Sequence, residues 1–318
     1  MPTVSLIIRC YNEERHIGRL LCGVLQQRMP PDEIILVDSG STDATLSLAS
    51  RYPVKIVEIN KDEFSFGRSL NVGCGASAGD LLVFASAHVY PVHRDWLQRL
   101  LVPFENEQVA LVYGRQLGNE VTRFSERQIF ARWFPDYSDW NQGHPFCNNA
   151  NAAIRRSLWE RFPYDESLTG LEDLAWAQRV RGAGFRIAYE ACAEVVHIHE
   201  ESPKVIFSRY RREAIALKDI EPQQSFSLLD FLRLYAGNVF SDLRHAARQG
   251  ELLKSASDIT MFRLMQFWGT YRGFRHQGLV TGQLRRKFYY PQELSDMKDE
   301  EPSTSEQRQV IDYSHIQQ

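Results

Sequence analysis

Short apolar runs alternate with stretches of helical periodicity over the first 110 residues, and this alternation constrains the fold more than any other feature of the sequence. The runs lie at residues 4–8, 34–37, 54–57 and 81–84, and the helical stretches at about 14–27, 42–48 and 67–78. Strands that alternate with helices form a mostly parallel sheet with right-handed crossovers. The sequence therefore predicts an α/β fold with a Rossmann-like, mostly parallel sheet flanked by helices.

The pattern changes twice further along the chain. Residues 114–151 form a long span that we expect to be irregular and that is rich in aromatic side chains, which points to a functional loop or to a second apolar cluster. After Pro203 only helical patterns remain. We expect one α/β domain over residues 1–220, a helical extension over 221–290 and an acidic, disordered tail over 291–318.

The charge is unevenly distributed. The net charge is −3, yet residues 203–290 carry 15 Lys and Arg against 7 Asp and Glu. Such a basic segment suits an anionic lipid surface or a phosphorylated carrier, and it equally suits a solvated helical face. We expect peripheral membrane contact and no nucleic-acid partner.

Cysteine usage and the N-terminal sequence indicate the compartment. The 5 cysteines are scattered and form no Cys-x-x-Cys pair, which favours a reducing environment over disulfides or a zinc site. The chain begins directly with a predicted strand, and no apolar run approaches the roughly 18 residues that a membrane span needs. We therefore predict a cytoplasmic protein, peripheral to the inner face of the membrane.

Polar clusters follow three of the predicted strands, at residues 9–14, 38–43 and 86–91. In open α/β sheets, ligands bind beyond the carboxyl ends of the strands. Asp38, which precedes a Gly-containing turn, is placed to accept a hydrogen bond from a base N–H or a ribose hydroxyl. Asp43 is better suited to capping the next helix.

Four blocks in this order resemble family 2 glycosyltransferases with the GT-A fold, over about residues 3–218. They are Tyr11-Asn12-Glu13, the turn at 37–43, Ser86-Ala87-His88 with Pro91, and Glu172-Asp173. The resemblance implies transfer of a hexose or deoxyhexose from a UDP, dTDP or GDP donor to a hydroxyl of a glycan or lipid-linked acceptor, with inversion, as in bacterial polysaccharide biosynthesis. It implies donor contacts from Tyr11, Asn12, Glu13, Asp38, Arg68, Asn71 and Ser86.

The third block departs from the family's Asp-x-Asp or Asp-x-His pattern, because Ser86 replaces the first acid and His88 takes the second position. The resemblance implies Mn²⁺ or Mg²⁺ bound by His88 and His197, since a divalent cation neutralises the charge of the diphosphate leaving group. The alternative for His197 and His199 is a pair of hydrogen-bonded histidines on one face of a strand. With fewer acids at the metal, Arg68 would share the work on the diphosphate.

The Glu172-Asp173 block supplies the base that this resemblance implies. An inverting transferase needs a carboxylate to accept the proton of the acceptor hydroxyl. Asp173 takes this role and Glu172 supports it. The alternative is that both acids only stabilise a helix N-terminus.

Two other functions remain open from the sequence. A nucleotidyltransferase would also use a nucleotide-binding α/β sheet, but it would carry a Gly-rich phosphate loop that the first strand lacks. A non-catalytic protein with the same fold would have lost its metal site, as Ser86 suggests, but would not need Glu172-Asp173.

Overall fold

The computed structural model describes residues 2–278 together with Leu284 and Tyr289, so the predicted tail at 291–318 lies outside the described residues. The strands are β1 Val4–Cys10, β2 Glu33–Asp38, β3 Lys55–Glu58, β4 Leu81–Ser86, β5 Val89–Pro91, β6 Val109–Leu117, β7 Asn151–Arg155 and β8 Arg186–His197. The helices are α1 Ile17–Leu25, α2 Thr45–Ala49, α3 Phe66–Gly75, α4 Trp96–Leu101, α5 Phe124–Trp133, α6 Arg156–Arg161, α7 Glu172–Gly182, α8 Pro203–Ile220, α9 Leu228–Arg248 and α10 Leu252–Phe274.

The described strands form one sheet in the order β3-β2-β1-β4-β7-β6-β8-β5. Pairing is parallel from β3 through β4 and between β6 and β8, whereas β7 runs antiparallel to both of its neighbours and β5 runs antiparallel to β8. The central strands are mostly apolar and largely buried, because separate apolar clusters cover both faces of the sheet. The predicted α/β class, with a mostly parallel sheet flanked by helices, is confirmed.

Two elements differ from the sequence prediction. The span 114–151 is not irregular throughout, because it contains helix α5, which buries Phe130 while Trp133 remains 45% exposed. The two apolar segments near 186–189 and 195–197 belong to the single strand β8, whose pairing with β6 is irregular between them. The helical pattern of α5 is weak because polar Ser125 and Glu126 are buried together with Phe124 and Phe130, so burial does not follow apolar periodicity.

The register brings the three polar clusters to one edge of the sheet. Arg9 on β1 pairs with Ser86 on β4, and Cys10 pairs with Asp38 on β2. The chain then turns back through β5, and the Ile198 backbone N–H donates to the His88 carbonyl oxygen at 3.1 Å. Residues 86–88 and 197–199 therefore lie side by side although they are far apart in sequence.

Helices α8, α9 and α10 pack together at the C-terminal end of the described chain. A Cβ atom placed on Gly273 would lie 2.5 Å from the Arg211 carbonyl oxygen, so α10 approaches the backbone of α8 closely. Helix α9 joins α10 through buried Asp242 and Arg263, whose side chains form two hydrogen bonds of 2.7 and 3.1 Å. The Ser125 hydroxyl on α5 also donates to Asp242, at 2.7 Å.

None of the helices within the described residues is both long enough and apolar enough to cross a bilayer. The domain boundary that the sequence predicts at residue 220 stays a prediction, because helix α8, which ends at that residue, contacts both the sheet domain and helix α10.

We expect Asp242→Ala to lower the free energy of unfolding by about 3–5 kcal/mol, because it leaves the buried Arg263 guanidinium without its counter-ion. Chemical denaturation followed by circular dichroism measures this change. The paired variant Asp242→Leu/Arg263→Met removes both charges and should recover most of the loss. A single variant as stable as the unmodified chain would contradict this assignment of the ion pair.

Candidate active site

The loop after β1 is tied to the turn after β2. Asn12 adopts a left-handed backbone conformation with φ of 53°, and its side-chain oxygen accepts a hydrogen bond from the Thr42 backbone N–H at 2.8 Å. The Asn12 backbone N–H in turn donates to the Ser41 hydroxyl at 2.9 Å. A left-handed conformation costs Asn less than most residues, because its side chain compensates locally. These bonds fix the direction in which Glu13 leaves the sheet.

Asp38 organises its own turn. Its carboxylate is buried and accepts hydrogen bonds from the backbone N–H groups of Gly40 and Ser41 at 2.8 and 2.9 Å, and from the Ser41 hydroxyl. The structure therefore gives Asp38 a local role in shaping the pocket wall, and its predicted contact with a nucleotide stays a prediction. Asp43 precedes Ala44, the N-cap residue of α2, and accepts hydrogen bonds from the Thr45 and Glu14 backbone N–H groups at 3.0 and 3.1 Å, so it ties the start of α2 to the loop after β1.

Three imidazoles converge at the carboxyl edge of the sheet. One ligand atom from each of His88, His197 and His199 lies within 4.8 Å of the others. The His88 and His197 rings stack with their centroids 5.0 Å apart, and His197 and His199 lie 4.1 Å apart. The sequence placed His88 and His197 together, and the structure adds His199.

Each imidazole is oriented by a side-chain oxygen. The Nδ1 atoms of His88, His197 and His199 each lie 2.7 Å from the oxygens of Glu13, Gln116 and Glu126, respectively. Carboxylates and an amide oxygen in these positions accept the Nδ1–H proton, which leaves the Nε2 lone pair of each ring free to bind a ligand.

Burial and charge act differently on the three rings. Burial, together with the neighbouring His199 and His88, lowers the pKa of His197 well below its ordinary value, so this ring is neutral at pH 7. Burial also disfavours protonation of His88, but the Glu13 carboxylate outweighs that effect and raises the pKa of His88. The buried Nε2 of His197 has no hydrogen-bond partner among the described residues.

The acidic pair lies at the start of α7, on the other side of Arg9. The Arg9 guanidinium donates to Glu172 at 3.0 Å, and both side chains are largely buried. Asp173 accepts hydrogen bonds from the backbone N–H groups of Leu174 and Asn149 at 2.8 and 3.2 Å. Burial, and repulsion from Glu172, raise the pKa of Asp173 to about 7. Asp173 can therefore accept a proton near neutral pH.

The remaining predicted donor contacts are dispersed around this edge. Ser86 lies at the end of β4 beside Arg9, and the Tyr11 hydroxyl accepts from the Lys61 ammonium at 3.1 Å. Arg68 forms ion pairs with Glu63 and Glu166 on the surface. The Asn71 side chain hydrogen-bonds the segment 159–166, which gives it a structural role in this chain. Contact of these residues with a donor stays a prediction.

Sequence reasoning missed the groups that hold the site in place. Gln116 and Glu126 orient two of the imidazoles, and the Arg209 guanidinium donates to Glu126 at 3.1 Å and to Glu201 at 2.6 Å. Asn149 lies beside Asp173 with its side chain buried. The spacing of His197 and His199 by two was the available signal for the third imidazole, because such residues share one face of a strand.

This fold and this strand-end site define a glycosyltransferase of the GT-A class. A model of "Glycosyl transferase family 2" matches residues 5–162. The O-antigen chain rhamnosyltransferase WbaN of Salmonella anatum is 31% identical over 224 residues, which cover 66% of this chain and 70% of that protein. The O-antigen chain rhamnosyltransferase RfbN of Salmonella typhimurium is 29% identical, with 65% and 70% covered. The chain belongs to glycosyl transferase family 2.

Solved structures agree with the fold. The mannosyltransferase PcManGT from Pyrobaculum calidifontis, solved with GDP-Man and Mn²⁺, superposes with a TM-score of 0.57 at 19% identity, over 92% of this chain and 88% of that one. Glucosyl-3-phosphoglycerate synthase from Mycobacterium tuberculosis, solved with Mn²⁺, UDP and glucosyl-3-phosphoglycerate, superposes with a TM-score of 0.52 at 19% identity, over 70% of this chain and 81% of that one. The predicted GT-A fold and glycosyltransferase activity are confirmed.

Proposed function

We propose that this chain transfers a deoxyhexose of the rhamnose type from a UDP, dTDP or GDP donor to a hydroxyl of a growing glycan or lipid-linked acceptor, with inversion. The likeness to two O-antigen rhamnosyltransferases supports the sugar class and the acceptor class. The observation that carries the proposal is Asp173, a half-buried carboxylate with its pKa raised to about 7 at the edge where the strands end. A non-catalytic protein would have no use for such a group.

Asp173 acts as the general base. Its two backbone hydrogen bonds fix the carboxylate, while Arg9 neutralises Glu172 rather than Asp173. Asp173 therefore accepts the proton of the acceptor hydroxyl as that oxygen attacks the anomeric carbon from the face opposite the leaving nucleotide. Asn149 supports this step, because its buried Nδ2 has no partner among the described residues and is available to a sugar hydroxyl.

His88 and His197 hold a divalent cation, for which Mn²⁺ or Mg²⁺ is the expectation from the family. The residues fit a divalent cation, because each Nδ1 is already hydrogen-bonded and the buried Nε2 of His197 lacks a partner among the described residues. When bound, the ion supplies Lewis-acid neutralisation of the diphosphate.

The exposed aromatic side chains of Trp133, Tyr137 and Trp140 offer a surface for the acceptor glycan.

We expect Asp173→Asn to lower turnover by about 10²–10⁴-fold, because the amide cannot accept the proton. Release of nucleoside diphosphate from a panel of UDP-, dTDP- and GDP-sugars with a hydroxyl acceptor measures the rate, and proton NMR of the product measures inversion. Donor affinity in calorimetry should stay near that of the unmodified chain.

The exposed Asp219→Asn on α8 is the matched control and should leave turnover unchanged. Turnover of Asp173→Asn within a few-fold of the unmodified chain would remove Asp173 from this role. Retention of the donor's anomeric configuration in the product would contradict the inverting mechanism.

The activity should rise with pH through about 7, because Asp173 works only when deprotonated and its pKa is raised to about 7. Glu172→Gln removes the neighbouring negative charge, so the acidic limb of the kcat/KM profile should move to lower pH even if the maximum rate falls. A limb that stays at the same pH in this variant would show that another group controls it.

We also propose that α9 contacts an anionic membrane surface. Its outward face exposes Leu229, Leu232 and Phe240 by 76%, 51% and 69%, respectively, and Leu253 at the start of α10 is 99% exposed. The exposed positions of α9 include Arg233, Arg244 and Arg248 and no acidic residue. Apolar insertion combined with basic side chains is the chemistry by which amphipathic helices bind anionic interfaces.

Leu229→Ser/Phe240→Ser should weaken flotation with phosphatidylglycerol vesicles by at least about tenfold, since each buried large apolar side chain contributes about 1.5–3 kcal/mol. Arg233→Gln/Arg244→Gln should remove the preference for phosphatidylglycerol over phosphatidylcholine. Val121→Ser, a change of an exposed apolar residue outside α9, is the control. Equal flotation of all variants would leave α9 as a solvated face.

A further inference from the structure

The imidazole cluster differs chemically from a site built for Mn²⁺ or Mg²⁺. Ser86 occupies the position where the family pattern has an acid, so β4 supplies no carboxylate. The two carboxylates nearest to the rings, those of Glu13 and Glu126, accept hydrogen bonds from Nδ1 atoms of His88 and His199. The ligand atoms that His88, His197 and His199 bring within 4.8 Å of one another are therefore three nitrogen atoms.

All three rings are oriented in the same way. Each Nδ1 atom is held at 2.7 Å by an oxygen acceptor, so each ring is left with Nε2 as its ligand atom. Metal-binding histidines are held in this way by carboxylates and carbonyl oxygens, which fix the tautomer and make the ring a better ligand. His199 is as well supported as the two histidines that the sequence assigned to the metal.

The central ring provides an independent indication of a bound cation. His197 is 5% exposed and packs between the His88 ring and the Phe130 ring, whose centroid is 5.9 Å away. Its buried Nε2 has no hydrogen-bond partner among the described residues. An unpaired buried nitrogen is costly, and a cation held by all three rings would satisfy it.

We propose that His88, His197 and His199 together form a three-nitrogen site that selects a borderline divalent transition-metal ion of the zinc and cobalt class over Mg²⁺ and Mn²⁺. Imidazole nitrogen favours Zn²⁺, Co²⁺ and Ni²⁺, whereas Mg²⁺ and Mn²⁺ favour carboxylate, carbonyl and water oxygen. Three protein ligands leave a further coordination position open, as in catalytic metal sites. This inference rests on the proposed function for the role of the ion, but not for its binding.

Metal binding is measured directly on the full chain after treatment with a chelator. Titration with Co²⁺ should give one bound ion per chain and visible absorption bands, and Zn²⁺ should displace it. Millimolar Mg²⁺ should not displace Co²⁺, and the dissociation constant for Mn²⁺ should be at least about 100-fold weaker than that for Co²⁺. Comparable affinity for Mg²⁺ or Mn²⁺ and Co²⁺ would overturn the proposal without the need for any variant.

Two variants test the ligand set. His199→Ala should weaken Co²⁺ binding by more than about tenfold and change the absorption bands, whereas His245→Ala, on the exposed side of α9, should not. Ser86→Asp should supply an oxygen ligand, and the difference between the dissociation constants for Co²⁺ and Mn²⁺ should therefore become smaller. Unchanged Co²⁺ affinity in a folded His199→Ala protein would show that His199 is not a metal ligand.

The two proposals can fail separately. If the chain binds Co²⁺ through three histidines but transfers no sugar, only the proposed function fails. If it transfers sugar with Mg²⁺ and shows neither Co²⁺ bands nor a preference for Co²⁺, only the three-nitrogen site fails.

Discussion

Most of the site depends on the hydrogen bonds that the buried carboxylate of Glu126 accepts. It accepts hydrogen bonds from His199 at 2.7 Å and from Arg209 at 3.1 Å. Burial alone would raise its pKa, but His199 and Arg209 outweigh burial and lower the pKa to about 2. Because an unpaired buried charge costs several kcal/mol, α5, α8 and the end of β8 must keep their relative positions. Helices α9 and α10 pack on α5 and so support the same site from outside.

The four acidic residues around the strand ends have different partners and therefore different roles. Glu13 and Glu126 orient imidazoles, and Glu172 pairs with Arg9. Among the described residues Asp173 receives only backbone hydrogen bonds, and burial together with repulsion from Glu172 raises its pKa to about 7. Burial and neighbouring charges, more than the identity of the acid, therefore allow Asp173 to take up a proton near neutral pH. Arg9 is part of this arrangement through its ion pair with Glu172.

The sequence predicts what depends on local pattern. Alternating apolar runs and helical periods were enough for the sheet, whereas the motifs named His88, His197 and Asp173 as candidates whose roles stay predictions. The antiparallel strand β7 and the helix α5 were not apparent, because their placement depends on contacts with distant strands. Gln116 and Glu126 lie 81 and 73 residues from the histidines that they orient, so no local spacing connects them. Asp38 differs from them, because Gly40 and Ser41, which donate hydrogen bonds to it, lie in the turn that directly follows it in sequence.

The irregular pairing of β8 with β6 restricts how this gene can change in length. Between Gly114 and Gln116 on β6, β8 advances from Glu190 to Val195, so a short stretch of β8 bulges out before the regular pairing resumes. Side chains alternate between the two faces of a strand, and this bulge sets the phase at which His197 emerges. Insertion or deletion of a single codon in the bulge would turn the His197 imidazole to the opposite face, whereas a change of two codons would preserve its direction. Natural variation in this segment should therefore favour even steps.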